Sequence, residues 1–422
     1  MKLQPELLLA EDRRAGRLSR RDFLKGAAIV ASAGSSPAQT GKQRGLRQAP
    51  LVYVGTFSSP QGPEGSKGYG EGIYLFEMDP ATGRLSRRAV FPHTENPSWL
   101  AFDPAHAHLY VANEIATYQG TDSGSVSAYG IEPSSGNLKL LNTQSSGGAR
   151  PCHVSVHPSG KYAFAANYAG GTVAVLPIRP NGELGPASDV KSGSGPAGSI
   201  HAVSAPVGSF AISGHDRPHA HMIQADPSGR FVLSTDLGLD EILIWRFDLE
   251  RGLLLPNDPP AVKLPPGDGP RHFTFHPAGR WLYCLQEEAS TLAVFDYDAG
   301  KGTLAAKQTL STLPKGFAGT DFTSEVAISP DGRFLYAANR LHDSIAWFSI
   351  APGGTLTWAG EEWTRGDYPR SFTIDPSGRY LFSCNQRSDA LACFRVNQQT
   401  GALTFTGGYT PVGTPAIVLF LT

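Results

Sequence analysis

Four ionisable residues, His221, Arg271, Glu287 and Arg340, stand at corresponding positions of a repeated sequence pattern. Two arginines can hold a carboxylate or phosphate and can stabilise an oxyanion. A histidine can exchange a proton near neutral pH, and a glutamate can orient that histidine, orient water or act as the base. These residue types together would suit acid–base chemistry on an anionic substrate in which negative charge develops on an oxygen atom. The alternative is a structural salt bridge between Arg271 and Glu287, with His221 serving only in packing.

Other polar residues close to these four are candidates for contact with a substrate, namely His219, Asp236, Glu325 and Arg370. Three histidines, His215, His219 and His221, are closely spaced, and alternate histidines on a strand can bind a metal ion. Carboxylates at ligand spacing are missing beside them, so we expect no metal ion and no cofactor. The sequence contains no G-x-S-x-G, Walker or H-E-x-x-H motif.

The element that must position these residues is a hairpin that recurs along the chain. In each copy an apolar strand ends as a rule in Asp-Pro or His-Pro, a short turn follows, and a second strand ends at Asn or an acid. The copies are FDPAHAHLYVANE (102–114), VHPSGKYAFAANY (156–168), ADPSGRFVLSTDL (225–237), FHPAGRWLYCLQE (275–287), ISPDGRFLYAANR (328–340) and IDPSGRYLFSCNQ (374–386). A repeat of this spacing predicts a ring or solenoid of similar units.

Each hairpin is followed by a third strand, a Gly-bearing turn and a short fourth strand, which together describe one blade of a β-propeller. Six copies are complete. The N-terminal segments LVYVGTF (51–57), GIYLFEMDP (72–80) and GRLSRRAV (83–90) match the second, third and fourth strands of a seventh, and TPAIVLFLT (414–422) matches its first strand. The sequence therefore predicts an all-β, seven-bladed propeller in which the C-terminal strand pairs with the N-terminal blade.

Comparison of the blades selects the residues that surround the channel mouth. In a propeller, the first strand begins and the second strand ends at the same face, so each blade brings two positions to the rim. The first set is Ser98, Cys152, His221, Arg271, Ser324 and Arg370, and the second is Glu114, Tyr168, Asp236, Glu287, Arg340 and Gln386. Scaffold positions would repeat one residue type, whereas these vary and are mostly polar, as a binding site requires.

Composition restricts the remaining possibilities. The formal net charge is −1, which offers no general basic field for nucleic acid, and no apolar run is long enough for a membrane span. The four cysteines fall on predicted strands, so free core thiols are a better interpretation than a disulfide framework. Residues 180–218 are rich in Gly, Pro, Ser and Ala and are predicted to be a loop insertion.

The N-terminus has a different character. SRRDFLKG (19–26), followed by the weakly apolar run AAIVASAG (27–34), has the order of a twin-arginine export signal. The alternative is a basic tail with a chance Arg-Arg pair. We accordingly predict a signal over residues 1–38, a linker over 39–50 and a propeller over 51–422. Export to the periplasm or beyond follows if the signal functions, and a cytoplasmic location follows if it does not.

Three segments in order resemble the propeller lactonase family, which contains bacterial 6-phosphogluconolactonases and fungal carboxy-muconate lactonizing enzymes. They are RPHAHMIQADPSGRFVLSTDLGLDEILIW (217–245), GPRHFTFHPAGRWLYCLQE (269–287) and TSEVAISPDGRFLYAANR (323–340). The resemblance covers essentially residues 50–422 and agrees with a seven-bladed fold.

The resemblance implies roles for residues at matching motif positions. The catalytic histidine corresponds to His221, the two arginines to Arg271 and Arg340, and the acid to Glu287 rather than its neighbour Glu288. It implies metal-independent hydrolysis of a small anionic or sugar lactone, as in 6-phosphogluconolactonase, by a protein that we expect to be a monomer. The alternatives are an exported propeller that only binds partners, a cycloisomerase of muconate-type lactones, and a metal-dependent lactonase.

Overall fold

A computed structural model describes residues 49–60, 67–93, 95–212 and 214–421, and the predicted signal and most of the predicted linker lie outside these residues. The described residues form seven four-stranded antiparallel sheets, and the seven-bladed all-β propeller predicted from the repeats is confirmed. Within the same residues, no helix has the length and apolar character needed to cross a membrane.

The strands of the first four blades, apart from the C-terminal strand, are β1 (Leu51–Thr56), β2 (Gly72–Met78), β3 (Leu85–Pro92), β4 (Pro97–Phe102), β5 (His108–Asn113), β6 (Ser125–Ile131), β7 (Leu138–Ser145), β8 (Pro151–Val156), β9 (Tyr162–Asn167), β10 (Thr172–Pro177), β11 (Asp189–Ser192), β12 (Ala220–Ala225), β13 (Phe231–Asp236), β14 (Glu241–Asp248) and β15 (Leu253–Lys263). The remaining strands are β16 (Pro270–Phe275), β17 (Trp281–Gln286), β18 (Thr291–Asp298), β19 (Thr303–Ser311), β20 (Thr323–Ile328), β21 (Phe334–Asn339), β22 (Ser344–Ile350), β23 (Leu356–Trp363), β24 (Pro369–Ile374), β25 (Tyr380–Asn385), β26 (Ala390–Val396), β27 (Leu403–Pro411) and β28 (Pro415–Leu421). A single 3₁₀ turn among the described residues follows β25, at Gln386–Ser388.

The ring closes as the split repeat predicts. Strand β28 pairs antiparallel with β1, from Leu51 opposite Leu421 to Thr56 opposite Pro415, so blade 1 is the sheet β28-β1-β2-β3. Blades 2 to 7 each take four consecutive strands, beginning with β4, β8, β12, β16, β20 and β24. Closure removes the unpaired inner edges that would invite association with other strands.

Seven apolar clusters lie mostly between neighbouring blades and hold the ring together. The second strand of each blade is almost fully buried, as in β21, where all six residues are buried. Tyrosines tie one blade to the next: the Tyr283 hydroxyl donates to the Gly354 carbonyl at 2.9 Å, and Tyr336 donates to Gly401 in the same way. All four cysteines are buried and none forms a disulfide, which confirms the interpretation as free core thiols.

The recurrent Pro-Ser/Asp-Gly turn joins the first and second strands at the face opposite the site. In blade 6, the Gly332 N–H donates to the Ser329 carbonyl, and Gly332 has a φ of 74°, in the left-handed region that favours glycine. A Cβ at this position would lie 3.1 Å from Nε2 of His276. The turn therefore needs glycine both for its backbone conformation and for the close approach of the neighbouring blade.

Gly332→Val is expected to reduce the free energy of unfolding by about 2 kcal/mol or more, because a β-branched residue is strained at positive φ. Urea unfolding of the two proteins measures this effect. Gly332→Asn serves as the control, since asparagine tolerates the left-handed region and should lose less. Equal stability of the valine variant and the native protein would contradict the assignment of this turn.

Candidate active site

A pocket of about 570 Å³ opens at the mouth of the central channel, where the first strands begin and the second strands end. Most of its lining residues are of polar or charged type, and they come from blades 2 to 7 and their connecting loops. The lining residues are Glu114, Arg150, Cys152, Tyr168, Ile212, His221, Glu287, Phe322, Arg340, Leu341, Tyr368, Arg370 and Arg387. Three of the four predicted catalytic residues are among them, and Arg271 lines a smaller cavity that adjoins the pocket.

A shift in strand register explains why the rim residues point toward the channel. In each blade the pairing between the first and second strands slips by one residue directly after the first pair, as between Pro270 and Phe273 of β16. Such bulges redirect side chains and are common beside active sites. The residues within the shifts are Ser98, Cys152, His221, Arg271 with His272, Ser324 with Glu325, Arg370 and, in the closing blade, Ala416.

Glu287 joins two buried arginines in one ion-pair network. Its Oε2 lies 2.8 Å from Nε of Arg271, and its Oε1 lies 2.8 Å from Nη2 of Arg340. Burial alone would raise the pKa of Glu287, but the Arg340 and Arg271 guanidinium groups outweigh it and hold the pKa below its ordinary value. Burial lowers the pKa of Arg271 to about 10, which leaves the guanidinium charged at neutral pH. The network is therefore one carboxylate between two cations.

Backbone carbonyls and aromatic rings fix the two arginines. Arg271 donates through Nη1 to the Ser324 carbonyl, and Arg340 donates through Nη2 to the Thr323 carbonyl at 3.1 Å. The Arg340 guanidinium also lies 5.4 Å from the ring of Tyr368, within the range of a cation–π contact. Both guanidinium groups are thus preorganised, which is the property that electrostatic stabilisation of a transition state requires.

His221 is a buried, neutral imidazole beside this network. Its Nδ1 lies 3.8 Å from the Cys152 sulfur, and its ring packs 5.5 Å from Tyr168 and 5.1 Å from His272. Burial and the nearby Arg271 charge hold the pKa of His221 well below its ordinary value. Burial also raises the pKa of the Cys152 thiol, so this cysteine remains protonated. The site accordingly lacks the thiolate–imidazolium pair of a cysteine nucleophile.

Of the four predicted substrate-binding residues, Arg370 lines the pocket and Asp236, His219 and Glu325 do not. Asp236 is the last paired residue of β13, the position that Asn113 and Asn167 occupy in other blades, and Leu237 is the true rim residue. The Asp236 carboxylate accepts the backbone N–H groups of His219 and Leu239 at 2.8 and 3.1 Å. It therefore holds a loop in place, and burial raises its pKa to about 6.

His219 and Glu325 lie outside the pocket lining and contact residues next to the site. The His219 Nδ1 donates to the Tyr168 carbonyl at 2.9 Å, and its ring packs 4.6 Å from that of Tyr168. Glu325 lies deeper in the channel, where it contacts Nδ1 of His272 at 3.2 Å. Burial raises the pKa of Glu325 to about 8. Neither side chain lines the pocket and both contact other protein groups, so direct contact with a substrate stays a prediction.

Glu288, the neighbour of Glu287, anchors the long insertion instead of lining the pocket. It lies 3.2 Å from Nδ1 of His215, and Asp240 lies 3.2 Å from Nε2 of the same ring. Burial would lower the pKa of His215, but the two carboxylates raise it to about 9. The insertion then crosses the face, forms a bridge from Val207 to Ala318, and places Ile212 in the pocket wall.

Several pocket residues lie outside the repeated hairpins. Arg150 and Ile212 belong to connections before inner strands, and the Arg387 guanidinium stacks 3.8 Å from the ring of Tyr368. The comparison of repeats did not find them because it considered only two positions in each blade. Arg150 lies one residue before its first strand, at the position of Asn96 and Tyr368 in other blades. Glu114 and Tyr168 did appear in that comparison. Among the described residues, no group of three or more His, Cys, Asp or Glu side chains is arranged to hold a metal ion.

The closed ring with a charged pocket on its axis defines a β-propeller with a small-molecule site. A family model described as a seven-bladed β-propeller lactonase matches residues 51–420. The chain belongs to this lactonase family.

Named relatives and a solved structure agree with this membership. A 6-phosphogluconolactonase from Bacillus subtilis is 32% identical over 374 residues, covering 88% of this chain and 98% of the relative. A 6-phosphogluconolactonase from Serratia proteamaculans is 32% identical over 369 residues, covering 86% and 96%. The structure of a periplasmic gluconolactonase from Pseudomonas aeruginosa has a TM-score of 0.79 and 32% identity, covering 88% of this chain and 99% of that one.

Proposed function

We propose that this protein hydrolyses the lactone of a sugar acid or related organic acid. The observation that carries the proposal is the pairing of Glu287 with two preorganised arginines beside His221, at a pocket large enough for a small lactone. The names of the relatives from Bacillus subtilis and Pseudomonas aeruginosa support the same reaction class.

The chemistry divides among these residues. Attack of water on the lactone carbonyl places negative charge on its oxygen, and the Arg271 and Arg340 guanidinium groups stabilise that charge. The pKa of Glu287 lies below its ordinary value, so this carboxylate is a poor proton acceptor at neutral pH. Its role is therefore to keep both guanidinium groups in place. The neutral imidazole of His221 hydrogen-bonds the substrate. Collapse of the tetrahedral intermediate breaks the ring C–O bond and releases a hydroxy acid.

The pocket favours a substrate that carries a second anionic group. Arg150, Arg370 and Arg387 surround the mouth, and arginine recognises phosphate and carboxylate through paired hydrogen bonds. Ile212 and Leu341 supply apolar contact area for the carbon skeleton. A phosphorylated sugar lactone such as 6-phosphogluconolactone combines both requirements.

We also propose that the chain is exported. The support is the twin-arginine pattern at residues 19–26 and the periplasmic location in the name of the similar Pseudomonas aeruginosa protein. Export through this route accepts a folded protein and needs no disulfide, which agrees with four free cysteines. Because an exported enzyme would meet other lactones, the test below includes unphosphorylated ones.

The experiment is a lactonase assay of the purified protein with 6-phosphogluconolactone beside unphosphorylated sugar lactones, with and without EDTA. We expect turnover that EDTA leaves unchanged and that is faster for the phosphorylated substrate. Loss of activity in EDTA would indicate a metal-dependent enzyme. Cyclisation of a muconate in a parallel assay, without lactone hydrolysis, would indicate a cycloisomerase, and no turnover in either assay would favour a propeller that only binds partners.

A further inference from the structure

A second cavity lies directly beneath the pocket, and its size suits one water molecule. Its volume is about 10 Å³, close to the lower limit for holding a single water. Glu114, Cys152, His221 and Arg370 line both cavities, so the two spaces adjoin, and we call the smaller one the lower niche. Its wall also includes Ser98 and Arg271. Phe57, Trp99, His272 and Ala416 complete the wall, and its polar members offer the hydrogen bonds that an ordered water requires.

Glu114 faces the arginine network from the other side of the channel. It follows β5 in blade 2, whereas Glu287 follows β17 in blade 5, and three steps around a ring of seven place two blades on opposite walls. Its carboxylate accepts a hydrogen bond from the Ser98 hydroxyl at 2.7 Å. The backbone N–H of Glu114 donates to the Asn96 carbonyl at 2.9 Å, which anchors the residue on the rim. Glu114 is therefore held in position by the Ser98 hydroxyl and by its own backbone.

The two glutamates differ in their electrostatic surroundings. The charged or titratable groups around Glu114 are Arg370, Arg150, Arg271, Cys152, His221 and His272. Burial raises the pKa of Glu114, although Arg370, the Ser98 hydrogen bond, Arg150 and Arg271 partly oppose it. The pKa of Glu287 is shifted in the opposite direction. Geometry separates the two carboxyl groups as well: Glu287 pairs with two arginines, whereas Glu114 accepts the Ser98 hydrogen bond at the wall of the lower niche, where a raised pKa suits a proton carrier.

We propose that Glu114 is the general base that activates the hydrolytic water, held in the lower niche between Glu114 and His221. This inference rests on the proposed lactonase function and adds a catalytic residue to it. The water oxygen attacks the lactone carbonyl carbon while one water proton passes to the Glu114 carboxylate. The ring C–O bond then breaks, and the same proton passes from Glu114 to the leaving alkoxide. The product acid ionises and releases one proton to solvent.

Glu114→Gln tests this role because the amide preserves the size of the side chain and can still accept the Ser98 hydrogen bond. On the lactone that the native protein hydrolyses, kcat is expected to fall by about 10²–10⁴-fold, the range for loss of a general base. The native profile of kcat/KM should lose activity as pH falls through the raised pKa of Glu114, and the variant should lack this limb. Glu132→Gln, at an exposed turn of the same blade, is the matched control and should behave as the native protein does.

A second variant guards against a purely structural effect. Glu114→Ala leaves space in the pocket, and added formate or azide should restore part of its kcat, because a small anion can replace the missing carboxylate. An unchanged kcat and low-pH limb in Glu114→Gln would overturn the inference while leaving lactonase activity intact. Loss of activity in Glu114→Ala without rescue by either anion would also count against it. Absence of lactone turnover by the native protein would remove the proposed function and this inference with it.

Discussion

Arg271→Lys is expected to lower kcat for lactone hydrolysis by about 10²–10³-fold, the effect of removing one oxyanion donor. Arg271 reaches Glu287 with Nε and the Ser324 carbonyl with Nη1, so its fork is held from two sides. A lysine retains one positive charge but cannot keep both contacts and present a third donor to the substrate. Steady-state kinetics with the preferred lactone measure the loss.

The control for this variant is Arg280→Lys, which lies on the same hairpin but is exposed at the opposite face. It should leave kcat and KM unchanged. The charge of the buried pair is preserved in Arg271→Lys, so the melting temperature should fall by no more than a few degrees. If Arg271→Lys retains native kcat but unfolds much more easily, Arg271 serves the hairpin and not the reaction.

Glu287→Gln is expected to reduce the free energy of unfolding by about 3–5 kcal/mol, the cost of leaving buried charge without its partner. Arg271 and Arg340 are each only 2% exposed, and both form an ion pair with this carboxylate. Activity per folded molecule should fall as well, since the guanidinium groups lose the contact that positions them. Chemical unfolding and kinetics on the same preparation measure the two effects.

The stability difference should depend on pH in a defined direction. The pKa of Glu287 lies below its ordinary value of 4.5, so the carboxylate contributes its full stabilisation above that pH. The gap between the native protein and Glu287→Gln should therefore be constant near neutral pH and shrink as the pH falls below about 4.5. Glu77→Gln is the matched control, because the Glu77–Arg88 pair is exposed and should contribute less than about 1 kcal/mol. A similar loss in both variants would contradict a special role for the buried network.

The network of Arg271, Glu287 and Arg340 depends both on the pairing within one hairpin and on the packing of neighbouring blades. Arg271 and Glu287 begin and end one hairpin, so their proximity follows from local pairing alone. Arg340 comes from the next blade, and its contact with Glu287 depends on the angle at which blades 5 and 6 pack. The comparison of repeats found all three because every blade brings the same two positions to one rim.

Where a predicted residue lies away from the pocket, the reason is a register error of one residue or a contact with another protein group. Asp236 was assigned to the rim, but the strand ends there and Leu237 takes the rim position. His219 is two residues before His221, yet Tyr168 and Asp216 already engage its ring. A register error of one residue, as at Asp236, assigns a side chain to the wrong face, because successive side chains of a strand point to opposite faces.

The sequence by itself determined the seven-bladed ring, its closure by the C-terminal strand and most of the rim, because these depend on local patterns that repeat. The tertiary structure alone decided which rim residues face a common pocket. The register shift at the start of each first strand turns side chains inward, and loops from distant segments bring Arg150, Ile212 and Arg387 to the same mouth. The tertiary structure also places Glu287 in the pocket and Glu288 beside His215, and it brings Glu114 to the channel wall across from Glu287. Those outcomes depend on packing between blades, which no single repeat encodes.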